Sequence, residues 1–266
     1  KNIREDADCI IVCTGGLSYP STGSDGDGYE LARSFGHRVG NLYPSLVRLR
    51  TCEDFVSSLQ GLSLKNVSVS MTAGKKTVFS GVGEMLFTDD GVSGPLILSC
   101  SAHYAALRER YENFVIHTDL KCASTAETLD ARILKALEEM KTRSVYNALS
   151  SYLPRSLLAV VLKLSGVSAD KKARDVTREE RRKIIENTKD LKLTVRESGP
   201  FEEAVVTHGG INVKDIDPHT MESKIVQGLY FCGEVLDTDA MTGGFNLQTA
   251  WSTGYLAGVS AAGKEF

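Results

Sequence analysis

The chain has 266 residues, 42% hydrophobic and 24% charged, with 24 glycines and 6 prolines, the composition of an ordinary globular protein with room for one large domain or two to three small ones. A formal net charge of −3 gives no basic footprint for nucleic acid or an anionic membrane. No apolar run approaches the roughly 18 residues of a membrane span, and Lys1-Asn-Ile-Arg-Glu-Asp6 is no signal peptide, so a cytoplasmic protein is expected.

The six cysteines (Cys9, Cys13, Cys52, Cys100, Cys122 and Cys232) form no C-x-x-C pair and read as free thiols, with Cys9, Cys13 and Cys232 as small buried hydrophobes in strand-like runs. The five histidines show no ligand spacing, and no metal site is expected.

In chain order, Cys9-Ile-Ile-Val-Cys13 runs straight into Thr14-Gly15-Gly16, and its unbroken apolar character predicts a strand buried on both faces of a parallel sheet. A polar glycine-rich loop follows, then a helix over about 29–35, capped by Asp25 or Asp27 and closed by Gly36. From about 42 to 120 the pattern changes to period two, at Val67-Ser-Val-Ser-Met71, Thr77 to Ser80 and Phe114 to Thr118, which predicts antiparallel strands. Pro95 opens a helix that runs to Leu107. Residues 125–190 read as helical, with stripes at Leu129, Ile133, Leu134, Leu137 and Met140, then Leu157, Leu158, Val161, Leu162 and Leu164. The mixed-sign run from Lys171 to Lys183 reads as a solvated helix face. Strands return at 191–195 and 204–207. The layout is a β-plus-helical insertion, about 42–206, between two pieces of one α/β layer.

The most informative segment runs from Gly228 to Gly254. It predicts a buried strand (Leu229 to Cys232), an acidic turn at Gly233-Glu234, the glycine pair Gly243-Gly244, and a helix opening near Asn246. A carboxylate at a strand end accepts hydrogen bonds from sugar-like hydroxyls. Paired glycines let backbone approach a planar ligand, and a helix N-terminus offers N–H groups and partial positive charge. Two glycine-rich strand ends, at Gly15-Gly16 and Gly233, fit one crevice at the carboxyl edge of a sheet.

Other patterns carry less. No G-x-G-x-x-G occurs; Gly81-Val-Gly83 lacks the third glycine and Gly23-Ser-Asp-Gly26-Asp-Gly28 has the wrong order. Gly16-Leu-Ser18-Tyr-Pro20 approximates a nucleophile elbow, so a serine hydrolase using Ser18, Asp119 and His208 is an alternative, although Pro20 replaces the last glycine. Asp25-Gly-Asp27 lacks the remaining ligands of a calcium loop.

Four stretches carry a family resemblance: Thr14 to Tyr29, Gly83 to Leu98, Phe201 to Gly210, and Met221 to Gly254. On these the chain resembles the BaiN/RdsA-type flavoproteins, NAD(P)/FAD-dependent oxidoreductases also described as aminoacetone-oxidase-like. The resemblance implies an α/β fold (α+β overall), with a partial FAD-binding Rossmann-like domain in two pieces, 1–41 and 207–266. A β-barrel-like insert (42–124 and 191–206) and a helical subdomain (125–190) interrupt it. It implies FAD as cofactor, NAD(P)H as a possible reductant, and hydride transfer with an amine-like or unsaturated small-molecule substrate.

Residue by residue, it places Thr14, Gly15 and Gly16 along the cofactor and Gly233 and Glu234 at its sugar-like chain. Gly243, Gly244, Phe245, Asn246, Leu247 and Gln248 fall beneath the flavin ring. Ser18, Tyr19 and Thr22 fall on the wall, and Thr207 and His208 near the flavin face, with His208 the candidate acid/base. The family's N-terminal dinucleotide fingerprint has no counterpart here. The chain is therefore expected to be the C-terminal part of a larger flavoprotein and, by itself, to lack FAD or act as a non-catalytic binding module.

Overall fold

A computed structural model describes residues 5–263; residues 1–4, within the stretch read above as no signal peptide, and 264–266 lie outside it. In chain order its first elements are β1 (Ile10–Val12), α1 (Asp27–Ser34), β2 (Tyr43–Ser45), β3 (Leu49–Thr51), β4 (Ser63–Ala73), β5 (Lys76–Phe87), β6 (Gly91–Ser93), α2 (Pro95–Leu107) and β7 (Phe114–Asp119). There follow α3 (Ala126–Glu139), α4 (Val145–Leu149), α5 (Arg155–Leu164), α6 (Arg178–Lys189), β8 (Leu191–Ser198), β9 (Val206–His208), β10 (Leu229–Phe231) and α7 (Phe245–Ala261). Two compact units result. One is drawn from residues up to Arg48, Ser101–Arg108 and Ser198 onward, the other from Leu49–Cys100 and Glu109–Glu197.

The first unit is Rossmann-like. β1 and β10 pair in parallel, with Ile10 opposite Leu229 and Val12 opposite Phe231, although they lie at opposite ends of the chain. β2 and β9 pair antiparallel, Tyr43 opposite His208. Val12, Phe231 and Val235 pack with Tyr29 and Ala32 of α1 and with Ala257 of α7 to form the core. β10 is buried throughout, as a strand covered on both faces should be. β1 departs from expectation: Ile10 is 53% exposed and Ile11 38%. β10 is its sole hydrogen-bonded strand neighbour among the described residues. Cys13 is accordingly exposed and Cys9 half-buried, whereas Cys232 is buried as expected.

α1 begins two residues earlier than predicted, and Gly26 in a left-handed conformation is its N-cap instead of an aspartate. Asp25 accepts a hydrogen bond from the Asp27 amide at 3.2 Å, stabilising the turn ahead of the helix instead. Farther on, Asp215 accepts from the Arg38 backbone N–H at 3.1 Å and from the Arg38 guanidinium. The guanidinium hydrogen bond, the first of several contributions, holds the Asp215 carboxyl below the usual aspartate range. This contribution is therefore complete above the unfolded-state value of about 3.9 and is lost as pH falls below it toward the depressed folded value. We expect Asp215→Asn to flatten the acid limb of a urea-stability profile below about pH 4; an unchanged limb would contradict the assignment.

The second unit contains a closed six-stranded barrel in the order β3-β6-β5-β4-β7-β8. Along β4, buried Val67, Val69, Met71 and Ala73 alternate with half-buried Ser68, Ser70 and Thr72, the period two that made this strand legible. Met85, Phe87, Ile116 and Leu193 are fully buried. Gly81 and Gly83, the partial dinucleotide pattern, are ordinary β5 residues. A Cβ at Gly81 would come within 2.9 Å of Leu96 Cδ1, so the glycine gives that α2 side chain room.

Residues 125–190 contain four helices, α3 to α6, and cluster with the barrel in one unit. Thr177 and Glu180 form a reciprocal capping box on α6. The charged run is laced by Lys171–Glu180 at 2.7 Å and Arg181–Asp130 at 2.6 Å. Residues 42–48, 101–108 and 198–206, assigned above to the barrel-like insert, fold within the first unit. Among the described residues no helix is long and apolar enough to cross a membrane, and no group of three or more histidine, cysteine or acidic side chains could hold a metal ion.

Candidate functional site

The first unit holds a cavity of about 390 Å³, within the ordinary range for small-molecule sites. Leu46, Val205, Val206, Met241, Leu247 and Ala250 supply apolar wall, and Glu234, Thr238, Asp239, Thr242 and Asn246 supply polar groups. Gly233, Gly243 and Gly244 line it as well. Six residues singled out from sequence therefore share one wall: Gly233, Glu234, Gly243, Gly244, Asn246 and Leu247.

The helix opening is built as anticipated. Gly244 is the N-cap of α7 in a left-handed conformation (φ 88°) and, as a glycine, brings no side chain of its own to cap the helix. The first-turn amides present the positive end of the helix dipole. A Cβ on Gly244 would meet no atom within 4 Å; the space above that backbone is open. Asn246 fixes the preceding loop, its Oδ1 accepting from the Ala240 amide and its Nδ2 donating to the Ala240 carbonyl, both at 2.8 Å. Phe245 and Gln248 are exposed and do not line the cavity. The Phe245 ring packs back on Gly243, and Gln248 donates to Ser252 at 3.0 Å.

Glu234 is held from the other side. Its Oε1 accepts the Thr207 N–H at 2.7 Å, so one carboxylate oxygen serves the β9 strand end. Burial raises its pKa, opposed by the Thr207 hydrogen bonds and reinforced by Asp239. Asp237 shifts the same way, mainly through burial, with His208 opposing. These two carboxyls hold protons to higher pH than exposed carboxylates do.

Thr207 is 1% exposed, and its hydroxyl oxygen accepts from the amides of Leu17 at 2.8 Å and Ser18 at 3.1 Å while lying 3.0 Å from Ser18 Oγ. It locks the Gly16 turn to β9. A Cβ at Gly16 would fall 2.4 Å from Thr207 Oγ1 and 2.8 Å from Glu234 Oε1. Thr14 and Gly15 pack instead against Gly28 and Ser24, just behind that turn.

The expected wall residues fall elsewhere. Ser18 is 5% exposed and turned to Thr207, Tyr19 is exposed, and Thr22 bonds to the Tyr19 carbonyl; none of them lines the cavity. The hydrolase arrangement does not assemble through these contacts: Asp119 pairs with Lys189 at 2.6 Å, while His208 Nδ1 lies 2.7 Å from Asp239 Oδ1. His208 itself stands outside the cavity lining, and Asp239 connects it to the cavity. Ser45 donates to the other Asp239 oxygen at 3.2 Å. Sequence reasoning missed Asp239 and Ser45. The acid cluster Asp237-Thr-Asp239 sat within the segment read as the site, whereas Ser45 became a neighbour only through the β2–β9 pairing.

A family model described as "HI0933-like protein Rossmann domain" matches residues 2–260. The chain is 31% identical to a 3-dehydro-bile acid delta(4,6)-reductase of Clostridium scindens, over 97% of this chain and 63% of that protein. It is 31% identical to a ribosomal RNA dihydrouridine synthase of Haemophilus influenzae (94% of this chain, 59% of the relative). To the Escherichia coli protein of the same description it is 29% identical (92% and 58%). The chain thus spans less than two thirds of the length of these curated relatives.

Proposed function

The chain belongs to the HI0933-like Rossmann-domain family, and from that premise we propose that it forms part of a flavin-dependent oxidoreductase with FAD as its cofactor. The observation that carries the proposal is the N-terminus of α7 at Gly244, where an added Cβ would meet no atom within 4 Å, lining one cavity together with Gly243, apolar side chains and Glu234. These residues fit the group. The 243–244 backbone would lie against the ring, and the first amides of α7 would face an edge that gains negative charge on reduction. Glu234 and the Thr14–Gly16 strand end would hold the sugar-like chain.

When bound, the flavin supplies a two-electron centre that takes up hydride at N5. The residues orient it, exclude water through Leu46, Val205 and Leu247, and stabilise charge. In this reading the hydrogen bond between His208 Nδ1 and Asp239 Oδ1 links the imidazole to the cavity lining. His208 acts as acid/base by that route. The substrate is an amine-like or unsaturated small molecule, with NAD(P)H as reductant; a relative named as a reductase supports redox chemistry. Two relatives carry names that specify ribosomal RNA, but the net charge of −3 favours a small molecule here.

The test is a chain extended to the full length of its relatives. It should keep flavin absorbance near ~450 nm after desalting, and Gly244→Val should lose that absorbance while leaving the far-UV circular dichroism unchanged. A yellow Gly244→Val protein would refute the placement. A folded, colourless full-length wild type would favour the binding-module alternative.

A further inference from the structure

Cys13 and Cys232 each lie one residue beyond the last register pair of the two parallel strands, Val12 opposite Phe231. The Cys232 N–H donates to the Val12 carbonyl at 3.1 Å, which keeps the strands together at that point. Neighbouring strands stand about 4.8 Å apart, inside the roughly 4.4–6.8 Å Cα separation that a disulfide spans. Among the described residues Cys13 is the one neighbouring side chain that acts electrostatically on the Cys232 thiol, and both thiols are free. Across from them, Gly254 of α7 leaves room: a Cβ there would stand 4.0 Å from Cys232 Sγ. The two differ in access, Cys13 being exposed and Cys232 only 4% exposed. Cys52, Cys100 and Cys122 lie in the second unit, Cys100 against Met71 Sδ and Cys122 against the Asn66 carbonyl.

We propose that Cys13 and Cys232 are a reversible dithiol–disulfide pair at the carboxyl edge of the β1–β10 sheet, closed by exchange with a small-molecule disulfide. The Cys13 thiolate attacks one sulfur of the reagent disulfide RSSR. That S–S bond breaks, one RS⁻ leaves and takes up a proton, and Cys13 carries a mixed disulfide. Cys232, losing its proton to solvent, attacks Cys13 Sγ and displaces the second RS⁻. Two protein thiols are oxidised to one disulfide, and RSSR is reduced to two RSH. Burial, then the adjacent Cys13, pushes the Cys232 thiol up to about 11, so it is the resolving partner and the exposed Cys13 the entry point.

The bridge would tie together the strand ends immediately ahead of Thr14–Gly16 and Gly233–Glu234. Its redox state therefore sets how far the two edges of the cavity region can part. The chemistry uses the chain's own sulfurs and does not depend on a bound flavin.

The experiment treats the reduced chain with glutathione disulfide, blocks remaining thiols with iodoacetamide after denaturation, and maps cysteines by mass spectrometry without reduction. The expected product links the peptide containing Cys13 to the one containing Cys232, with the fragment ions placing the bond on Cys13. It should disappear with dithiothreitol, persist in Cys9→Ser, and be absent from Cys13→Ala and Cys232→Ala. Circular dichroism checks that both alanine variants fold, and the wild-type bond assignment stands without them. Glutathione left on Cys13 with Cys232 fully alkylated would overturn the proposal, as would a bond from Cys9 to Cys232.

Discussion

Gly210→Ala is expected to destabilise the first unit by about 3–5 kcal/mol, among the largest effects of any single substitution. Gly210 has φ 148°, a conformation side chains rarely adopt, and an added Cβ would run into three main-chain atoms of the 235–237 segment. It would lie 2.7 Å from the Leu236 carbonyl carbon, 2.8 Å from the Asp237 nitrogen and 2.8 Å from the Val235 oxygen. No rotamer relieves a clash with main chain. The next residue, Ile211, donates to Val235 O at 2.9 Å and accepts from the Asp237 N–H at 3.0 Å, so relief would cost those bonds as well. The same segment carries Glu234 and Asp239, so the cavity should go with the fold. Urea unfolding followed by Trp251, the single tryptophan of the chain and a residue of this unit, should show the midpoint fall by more than about 1 M. A midpoint within a few tenths of a molar of wild type would show that Gly210 is a turn like any other.

Phe87→Ala should cost a similar ~3–5 kcal/mol in the other unit, by a different mechanism. Phe87 is fully buried at the end of β5, where it pairs with Val92 of β6, and its N–H donates to the Leu62 carbonyl at 3.0 Å. Removing the ring takes away apolar burial and leaves a hole in a barrel whose strands are tied into a closed cycle, so collapse into the space is restricted. Because the second unit contains no tryptophan, its melting should be followed by far-UV circular dichroism. A loss below about 1 kcal/mol would mean that the barrel wall relaxes around the gap.

What the sequence made legible follows from how much pattern each element carries. β4 and β5 have eleven and twelve residues, enough for alternation to show, and α7 announced itself through Gly243-Gly244. β2, β3 and β6 have three residues each, and β2 contains Pro44, so neither period nor propensity marks them. The apolar run Cys9 to Cys13 correctly signalled a strand, but burial depends on neighbours rather than on the strand itself, and Ile10 and Ile11 are partly exposed. The cavity was half legible. Local chemistry pointed to Gly233, Glu234, Gly243 and Gly244, and the family resemblance added Asn246 and Leu247; all six line it. Ser45 and the contact between His208 and Asp239 arise from chain segments that meet only after folding, and no spacing encodes such a meeting.

The pairing of β1 with β10 joins residues more than 200 positions apart, and the whole second unit lies between them. On a ribosome making about 5–20 residues per second, β1 waits on the order of 10–40 s for its partner. The barrel, complete within Leu49–Glu197, is free to fold first. Once folded, it replaces a long flexible connection with a compact body, and the entropy of bringing the two ends together falls accordingly. The expected order of events is therefore inside out: the insertion matures early, and the layer that bears the cavity closes last.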